Sequence, residues 1–423
     1  MIPIINRLKN NKTLVNGSLF SIFSFFNQGT SFLLLIILAG YIPPASYGNL
    51  SLFNTIVQFL GYFAALSTQG YLSVSYFKRG KHNFNKDFSS IIYICIAITI
   101  LLFFILLIGG KQFCLWTNIS QPFLWMAVII SALQVIWSML LDYYRILEKV
   151  GRYGLYSCSF ALINFIISLY LVIVLNQGWE GRIYAQFICI IIFGIITLCI
   201  FIKDKLFTSN INWQDVKTIL LWGIPLIPHL ASIWIKQGGD RFIINHFHTI
   251  EDVGLFSFAL NLTSIIFMVG SAFNATNSIT IFQTLSANIN RDEKIKKLNK
   301  QKKDTMYIYI VADLLIVISM SILIPIILPK YVSAIPYFLI LSIQGLGQCF
   351  YFLFCNYLFY YHKNKQIMYV TFGASLLHLC LSLIMTRYSM YYTCIIYVIV
   401  QFLIVSIIYI LSQKVLLFNL KKE

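Results

Sequence analysis

The chain is expected to be an all-α polytopic membrane protein of about twelve transmembrane helices, built as two parallel six-helix repeats with both termini cytoplasmic. Three observations predict this. Apolar runs recur from end to end, basic residues alternate from loop to loop, and the two halves carry matching sequence. Only 11% of the 423 residues are charged and 59% are hydrophobic, against roughly 25% charged residues in a soluble domain. Such a chain cannot cover a water-soluble globule with polar surface.

Runs of about 18 or more apolar residues are long enough to cross the ~30 Å of hydrocarbon in a bilayer. In the first half they occupy 18–40, 49–76, 89–109, 122–144, 153–175 and 183–202. The first follows the basic residues Arg7, Lys9 and Lys12. It is too long for the apolar core of a signal peptide, and no small-residue cleavage site follows, so it is read as a retained helix. The second half gives 218–239, 253–279, 305–328, 334–361, 367–386 and 391–412. All must be helical, because an open strand edge in lipid leaves backbone groups without partners. The runs are also too long and too evenly apolar for the alternating strands of a membrane barrel.

Of the 31 Lys and Arg residues, 25 fall at the termini and in every second loop. The richest is the eighth loop, with Arg291, Lys294, Lys296, Lys297, Lys300, Lys302 and Lys303. The opposite side holds Lys111, Arg182, Lys236, Arg241, Lys330 and Arg387. The richer side is cytoplasmic by the positive-inside rule. The net charge of +17 is therefore a topology signal, and no nucleic-acid partner is expected. Membrane lipids are, since a basic cytoplasmic segment attracts anionic headgroups. Eight of the nine cysteines lie within apolar runs, Cys114 falls in a loop, and no C-x-x-C pair occurs. Neither a disulfide framework nor a zinc site is indicated.

The repeat is visible where Tyr47-Gly48-Asn49-Leu50-Ser51-Leu52 matches Val253-Gly254-Leu255-Phe256-Ser257-Phe258 at an offset of 206. Further on, Pro122-Phe123-Leu124 matches Pro336-Tyr337-Phe338 at 214. A longer eighth loop explains the change of offset. Both halves start on the same side, so the repeats are parallel, with domains expected at 1–205 and 206–423.

From Ile224 the chain reads Ile-Pro-Leu-Ile-Pro-His, then Lys236-Gln-Gly-Gly-Asp240-Arg241-Phe-Ile-Ile-Asn, then Val253-Gly-Leu-Phe-Ser-Phe-Ala. This resembles the seventh-to-eighth helix region of the O-antigen flippases, the Wzx-type polysaccharide transporters. Asn27-Gln28-Gly29 and Leu328-Pro329-Lys330-Tyr331 are similar as well. The resemblance implies a V-shaped pair of bundles in the bacterial inner membrane, with a cavity formed mainly by helices 1, 2, 7 and 8. It implies an undecaprenyl-diphosphate-linked glycan as cargo, and a polysaccharide polymerase and chain-length machinery as partners. The multidrug exporters and lipid II flippases belong to the same superfamily. The lipid II flippases carry two further C-terminal helices, which this pattern lacks.

Such a task needs positive charge for a diphosphate and amides or aromatic rings for sugars. Substrate-binding or gating candidates are therefore Lys236, Asp240 and Arg241 at the end of helix 7, with Asn27 and Gln28 in helix 1 and Asn261 in helix 8. Lys236 and Asp240 are four residues apart and can pair on one helical face. Asp313 is the single acid deep inside a span. An intramembrane acid is costly and normally faces a cavity or a partner, which makes it the ion-coupling candidate. His229 and His378 read as packed, hydrogen-bonded side chains, since no ligand cluster accompanies them. No catalytic residue, cofactor or metal is expected. A multidrug or cation antiporter is the nearest alternative function; a membrane-embedded polymerase or glycosyltransferase would need a larger periplasmic loop.

Overall fold

The computed structural model describes residues 12–208 and 212–420; Arg7, Lys9, Lys421 and Lys422 lie outside them. Every regular element among the described residues is helical. In the first half these are α1 (Lys12–Tyr41), α2 (Pro44–Ala64), α3 (Tyr71–Thr117), α4 (Gln121–Ile146), α5 (Val150–Leu169) and α6 (Gly178–Lys203). Then come three short pieces, α7 (Trp213–Gly223), α8 (Ile227–Trp234) and α9 (Asp240–Phe247). Five long helices complete the chain: α10 (Ile250–Ser286), α11 (Arg291–Ile327), α12 (Ile335–Tyr360), α13 (Asn364–Met385) and α14 (Met390–Leu420).

Ten helices among the described residues are long and apolar enough to cross a membrane, and a bent pair supplies an eleventh. That pair, Pro44–Ala64 with Thr68–Gly80, turns by 58° at its break. Gly80 ends it with φ 76° and ψ 168°, a left-handed backbone that suits a residue without Cβ. The remaining expected span, 218–239, covers the second half of α7, all of α8 and the turn before α9; the three pieces α7, α8 and α9 have 11, 8 and 8 residues. A 3-10 turn at Ile224–Leu226 separates the first two, and a π-turn at Ile235–Gly239 separates the last two. Pro225 and Pro228 each lack the N–H a continuous helix needs, and Gly238-Gly239 favours the loosened turn.

The basic run of the eighth loop is helical and forms the opening turns of α11. Lys, Arg, Gln and Glu are strong helix formers, Asp292 and Glu293 sit at the positive end of the dipole, and Glu293 pairs with Lys297 at 2.7 Å.

The described residues pack as two compact units. One contains the chain up to Ile42 and Leu52–Ala231; the other contains Pro43–Ser51 and the chain from Ser232 onward. The boundary expected at 205/206 follows the repeat, whereas packing assigns the opening of α2 to the second unit. In the first unit α4 packs on α3 and α6, and α1 on α5. In the second, α12 lies against both α10 and α14, burying Leu353, Phe354, Val400 and Ile404. Apolar burial drives no association in lipid, so close contact between small residues carries the packing. The repeat motif supplies it. A Cβ on Gly254 would collide with the Pro44 carbonyl, and one on Gly48 with the Ile250 carbonyl. Thr249 and Asp252 form a reciprocal capping box that fixes the start of α10 at this crossing.

Candidate functional site

In the second unit three charged side chains, Lys236, Asp240 and Arg241, lie in the π-turn and at the start of α9. Asp240, 1% exposed, receives hydrogen bonds on both carboxylate oxygens. His378 Nε2 lies 2.7 Å from Oδ2, and the Ser382 hydroxyl donates to Oδ1. His378 and Ser382 are four residues apart on α13, hence on one face. Two carboxylate oxygens with two donors are what a buried anion needs to offset lost hydration.

Arg241, the next residue, serves a different pair of helices. Its Nε donates to Ser51 Oγ at 2.6 Å and to Ser257 Oγ at 3.0 Å. The two serines are themselves bonded at 2.8 Å and stand at equivalent positions of the repeat, 206 apart. Arg241 therefore ties α9 to the openings of both α2 and α10.

Lys236 lies in the π-turn and donates to Gln401 Oε1 at 2.5 Å. The Tyr397 hydroxyl donates to the Lys236 carbonyl, and the Tyr397 ring meets His378 edge-on at 4.6 Å between centroids. The expected Lys236–Asp240 pair does not form: each is engaged elsewhere. The π-turn inserts an extra residue between them, so the four-residue spacing no longer puts them on one α-helical face. A half-buried ammonium thus meets a neutral amide, which leaves its charge without a carboxylate partner among the described residues.

Asn261 joins this region through α2, donating to the Tyr47 hydroxyl at 2.7 Å. Tyr47 also meets Phe258 and Tyr331 edge-on. Asn27 and Gln28 lie in the first unit and are not part of this cluster. Asn27 Oδ1 is buried without a hydrogen-bond partner among the described residues, while Gln28 is exposed and donates to Ser24 at 3.2 Å. Asp313 is 7% exposed on α11, with Oδ1 buried and no hydrogen-bond partner among the described residues. One turn earlier Tyr309 donates to the Gly270 carbonyl at 3.3 Å. The side chain of His229 lies outside those described.

Several partners were not among the expected site residues: Ser51, Ser257, His378, Ser382, Tyr397 and Gln401. A signal for four of them exists in the sequence. His378-Ser382-Thr386 and Thr393-Tyr397-Gln401 are polar triads at four-residue spacing within apolar helices, a pattern that lines one helical face. In the first unit, Arg79 bridges Asp87 at 2.7 Å and Asp215 at 2.6 Å, and Ser75 supports Asp87 at 2.7 Å. This clamp fastens the start of α7 beside the Gly80 break.

Comparisons with known proteins agree with this architecture. Residues 14–279, well over half of the chain, match the family described as polysaccharide biosynthesis protein. A protein named for the Lsg locus of Haemophilus influenzae is 25% identical over 389 residues, covering 91% of this chain and 94% of its own length. A second membrane protein of that organism is 21% identical over 82% of this chain and 84% of its own. Among solved structures, an inward-facing multidrug resistance MATE family transporter of the MOP superfamily is similar at a TM-score of 0.69 and 13% identity, covering 93% of this chain and 96% of its own. An outward-facing transporter of the same description gives 0.63 at 12% identity, with 98% of both chains covered. The chain shares the fold of these solved transporters and is a multi-pass membrane protein.

Proposed function

The chain belongs to the polysaccharide biosynthesis protein family, and from that premise we propose that it is a lipid-linked-oligosaccharide flippase of the bacterial inner membrane. Its cargo is an undecaprenyl-diphosphate-linked glycan, moved by alternating access from the cytoplasmic to the periplasmic leaflet. It is a transporter and not an enzyme, and it works upstream of a polysaccharide polymerase and its chain-length machinery.

One observation carries the choice of an anionic cargo. The Lys236 ammonium is held by the neutral Gln401 amide, so its charge remains available to a diphosphate. Arg241, beside it, presents a guanidinium fixed through Nε by two hydroxyls. The one acid of this segment, Asp240, is already engaged by His378 and Ser382, so it is not offered to a cationic cargo. Asn261, one helix away, offers an amide suited to sugar hydroxyls. Within the first unit, Asn27, whose Oδ1 has no hydrogen-bond partner among the described residues, and Gln28 are proposed to bind or gate the cargo as well. Asp313, with an oxygen that receives no donor, is the ion-coupling carboxyl.

Deleting the gene tests this reading. Cells lacking the protein should accumulate the glycan lipid on the cytoplasmic side, with little labelling by an impermeant lectin at the outer leaflet of the inner membrane. Lys236→Ala should reproduce the defect at normal protein abundance. Unchanged surface glycan together with altered sensitivity to cationic drugs would establish the antiporter instead.

A further inference from the structure

His378 is fully buried, and its two ring nitrogens are in different circumstances. Nε2 faces Asp240 Oδ2, while Ser382 donates to Oδ1. With both oxygens accepting, Nε2 carries the hydrogen and Nδ1 is left as a lone pair. Nδ1 is buried and has no hydrogen-bond partner among the described residues. Buried polar atoms in that condition are uncommon and call for a reason.

A chain of hydroxyls leads away from the same carboxylate. Ser382 Oγ lies 3.3 Å from Thr386 Oγ1, which lies 2.9 Å from Thr393 Oγ1. All three residues are fully buried, and Thr386 caps α13 at the loop that holds Arg387. A hydroxyl donates and accepts at once, so such a chain can pass a proton by reorienting its bonds. His248 Nε2 contacts the Thr386 carbonyl at 2.6 Å, which holds this end of the chain in place.

We propose that Asp240 and His378 form a proton-binding site, distinct from Asp313, reached along Ser382, Thr386 and Thr393 from the Arg387 loop, through which a proton gradient drives the transport cycle. This rests on the transporter reading given above. One proton taken from water at the loop changes the pair from a net charge of −1 to neutral. It rests on Asp240 Oδ1 when delivered by the hydroxyls, or on His378 Nδ1. The surrounding charged and titratable groups are Lys236 and Arg241 on the same segment, Tyr397 and Cys394 on α14, and His248 beside Thr386. Asp240 is the only acid in that set, so losing its charge leaves the two cations without a counter-charge. Arg241 follows Asp240 directly and holds the Ser51–Ser257 crossing. The proton therefore acts one residue away from the contact that joins α9 to α2 and α10.

Two measurements separate the proton site from the transport reading. In the first, the full-length protein is purified into lipid nanodiscs with 15N-labelled histidine and followed by NMR, using His378→Gln to assign the signal. The His378 resonance should change as a proton is taken up or released when the pH is varied, and Asp240→Asn should alter that change. A His378 signal fixed in one state throughout would overturn the proposal. In the second, proteoliposomes contain trapped pyranine as proton indicator and undecaprenyl-diphosphate-linked N-acetylglucosamine as probe. An imposed gradient of one pH unit should accelerate wild-type probe movement by up to about tenfold, the equilibrium weight of one proton per pH unit. His378→Gln, whose amide can still donate to Asp240, should remove that acceleration, and Thr386→Val should weaken it while leaving the pair intact. A wild-type gradient response in both variants would also overturn the proposal. Failure of the wild-type protein to move the probe, with His378 still titrating, would count against the flippase reading and leave the proton site standing.

Discussion

Asp240 and Asp313 are two buried acids of the same unit, and their surroundings are opposite. Asp240 is 1% exposed and Asp313 is 7% exposed. The first takes a donor on each oxygen, from His378 and Ser382, and has Lys236 and Arg241 within a turn or so of its own segment. The second has an oxygen with no partner among the described residues and no cation within four residues on α11. Burial alone would rank them together. Their partners separate them: one carboxylate is built into a network that links α9, α13 and α14, while the other keeps an oxygen that no described residue reaches.

The largest expected effect follows from that difference. Asp240→Ala leaves the imidazole and a serine hydroxyl buried without their acceptor, and breaking a buried pair costs about 3–5 kcal/mol. Asp313→Ala removes an atom that has no donor, so its cost should be limited to lost packing. Unfolding of the detergent-solubilised protein by SDS titration measures both. Equal midpoints for the two variants would erase the distinction.

The sequence made part of this legible. Most spans could be placed from hydropathy, because the cost of entering lipid acts residue by residue. The seventh span, expected as one run, is broken beside Pro225, Pro228 and Gly238-Gly239, residues whose backbone chemistry is local and readable in the sequence. The matched Gly48 and Gly254 motifs proved to be a close helix crossing. The partner of Asp240 could not be placed in the same way. His378 lies 138 residues away, and one histidine in an apolar helix gives no local hint of what it faces. The π-turn also defeated the spacing argument for Lys236 and Asp240, since a one-residue insertion in a helical turn leaves no compositional mark.

Arg241→Ala gives the next effect in size. The loss removes a charged donor from two hydroxyls, about 1.5–3 kcal/mol for such a hydrogen bond. Surface glycan should fall about tenfold, the rate equivalent of ~1.4 kcal/mol, with protein still present in the membrane. Arg241→Lys should restore little, because a single ammonium cannot reproduce the orientation of a planar guanidinium. Normal glycan output from Arg241→Ala would remove this residue from the mechanism. Disappearance of the protein would mark Arg241 as part of the same structural network as Asp240.

Tyr47→Phe sets the yardstick for the comparison. It deletes the acceptor of the Asn261 amide, bonded at 2.7 Å, while keeping the ring that packs on Phe258 and Tyr331. Neutral hydrogen bonds between membrane helices average about 0.6 kcal/mol. The same SDS titration should therefore show a small loss, several times less than for Asp240→Ala. If Asp240→Ala cost no more than Tyr47→Phe, the Asp240 network would be ordinary interhelical contact.

The smallest effect on folding is expected from Asp313→Asn, and it bears most directly on function. Asparagine keeps the shape and an acceptor oxygen while fixing the site as uncharged. Nothing among the described residues donates to Oδ1, so no pair is broken, and stability should stay within about 0.5 kcal/mol of wild type. A carboxyl that takes a proton from one side and gives it up when the site is wetted loses that capacity in the variant. Vesicles carrying Asp313→Asn should then contain normal amounts of stable protein whose glycan movement no longer responds to a pH gradient. His378→Gln is the parallel experiment at the partner of the other acid, and loss of the response in each variant would show that both sites are needed. Wild-type behaviour of Asp313→Asn across a range of gradients would make Asp313 a packing contact. Gradient coupling would then rest on Asp240 and His378 alone, and the unpartnered oxygen of Asp313 would have no part in transport.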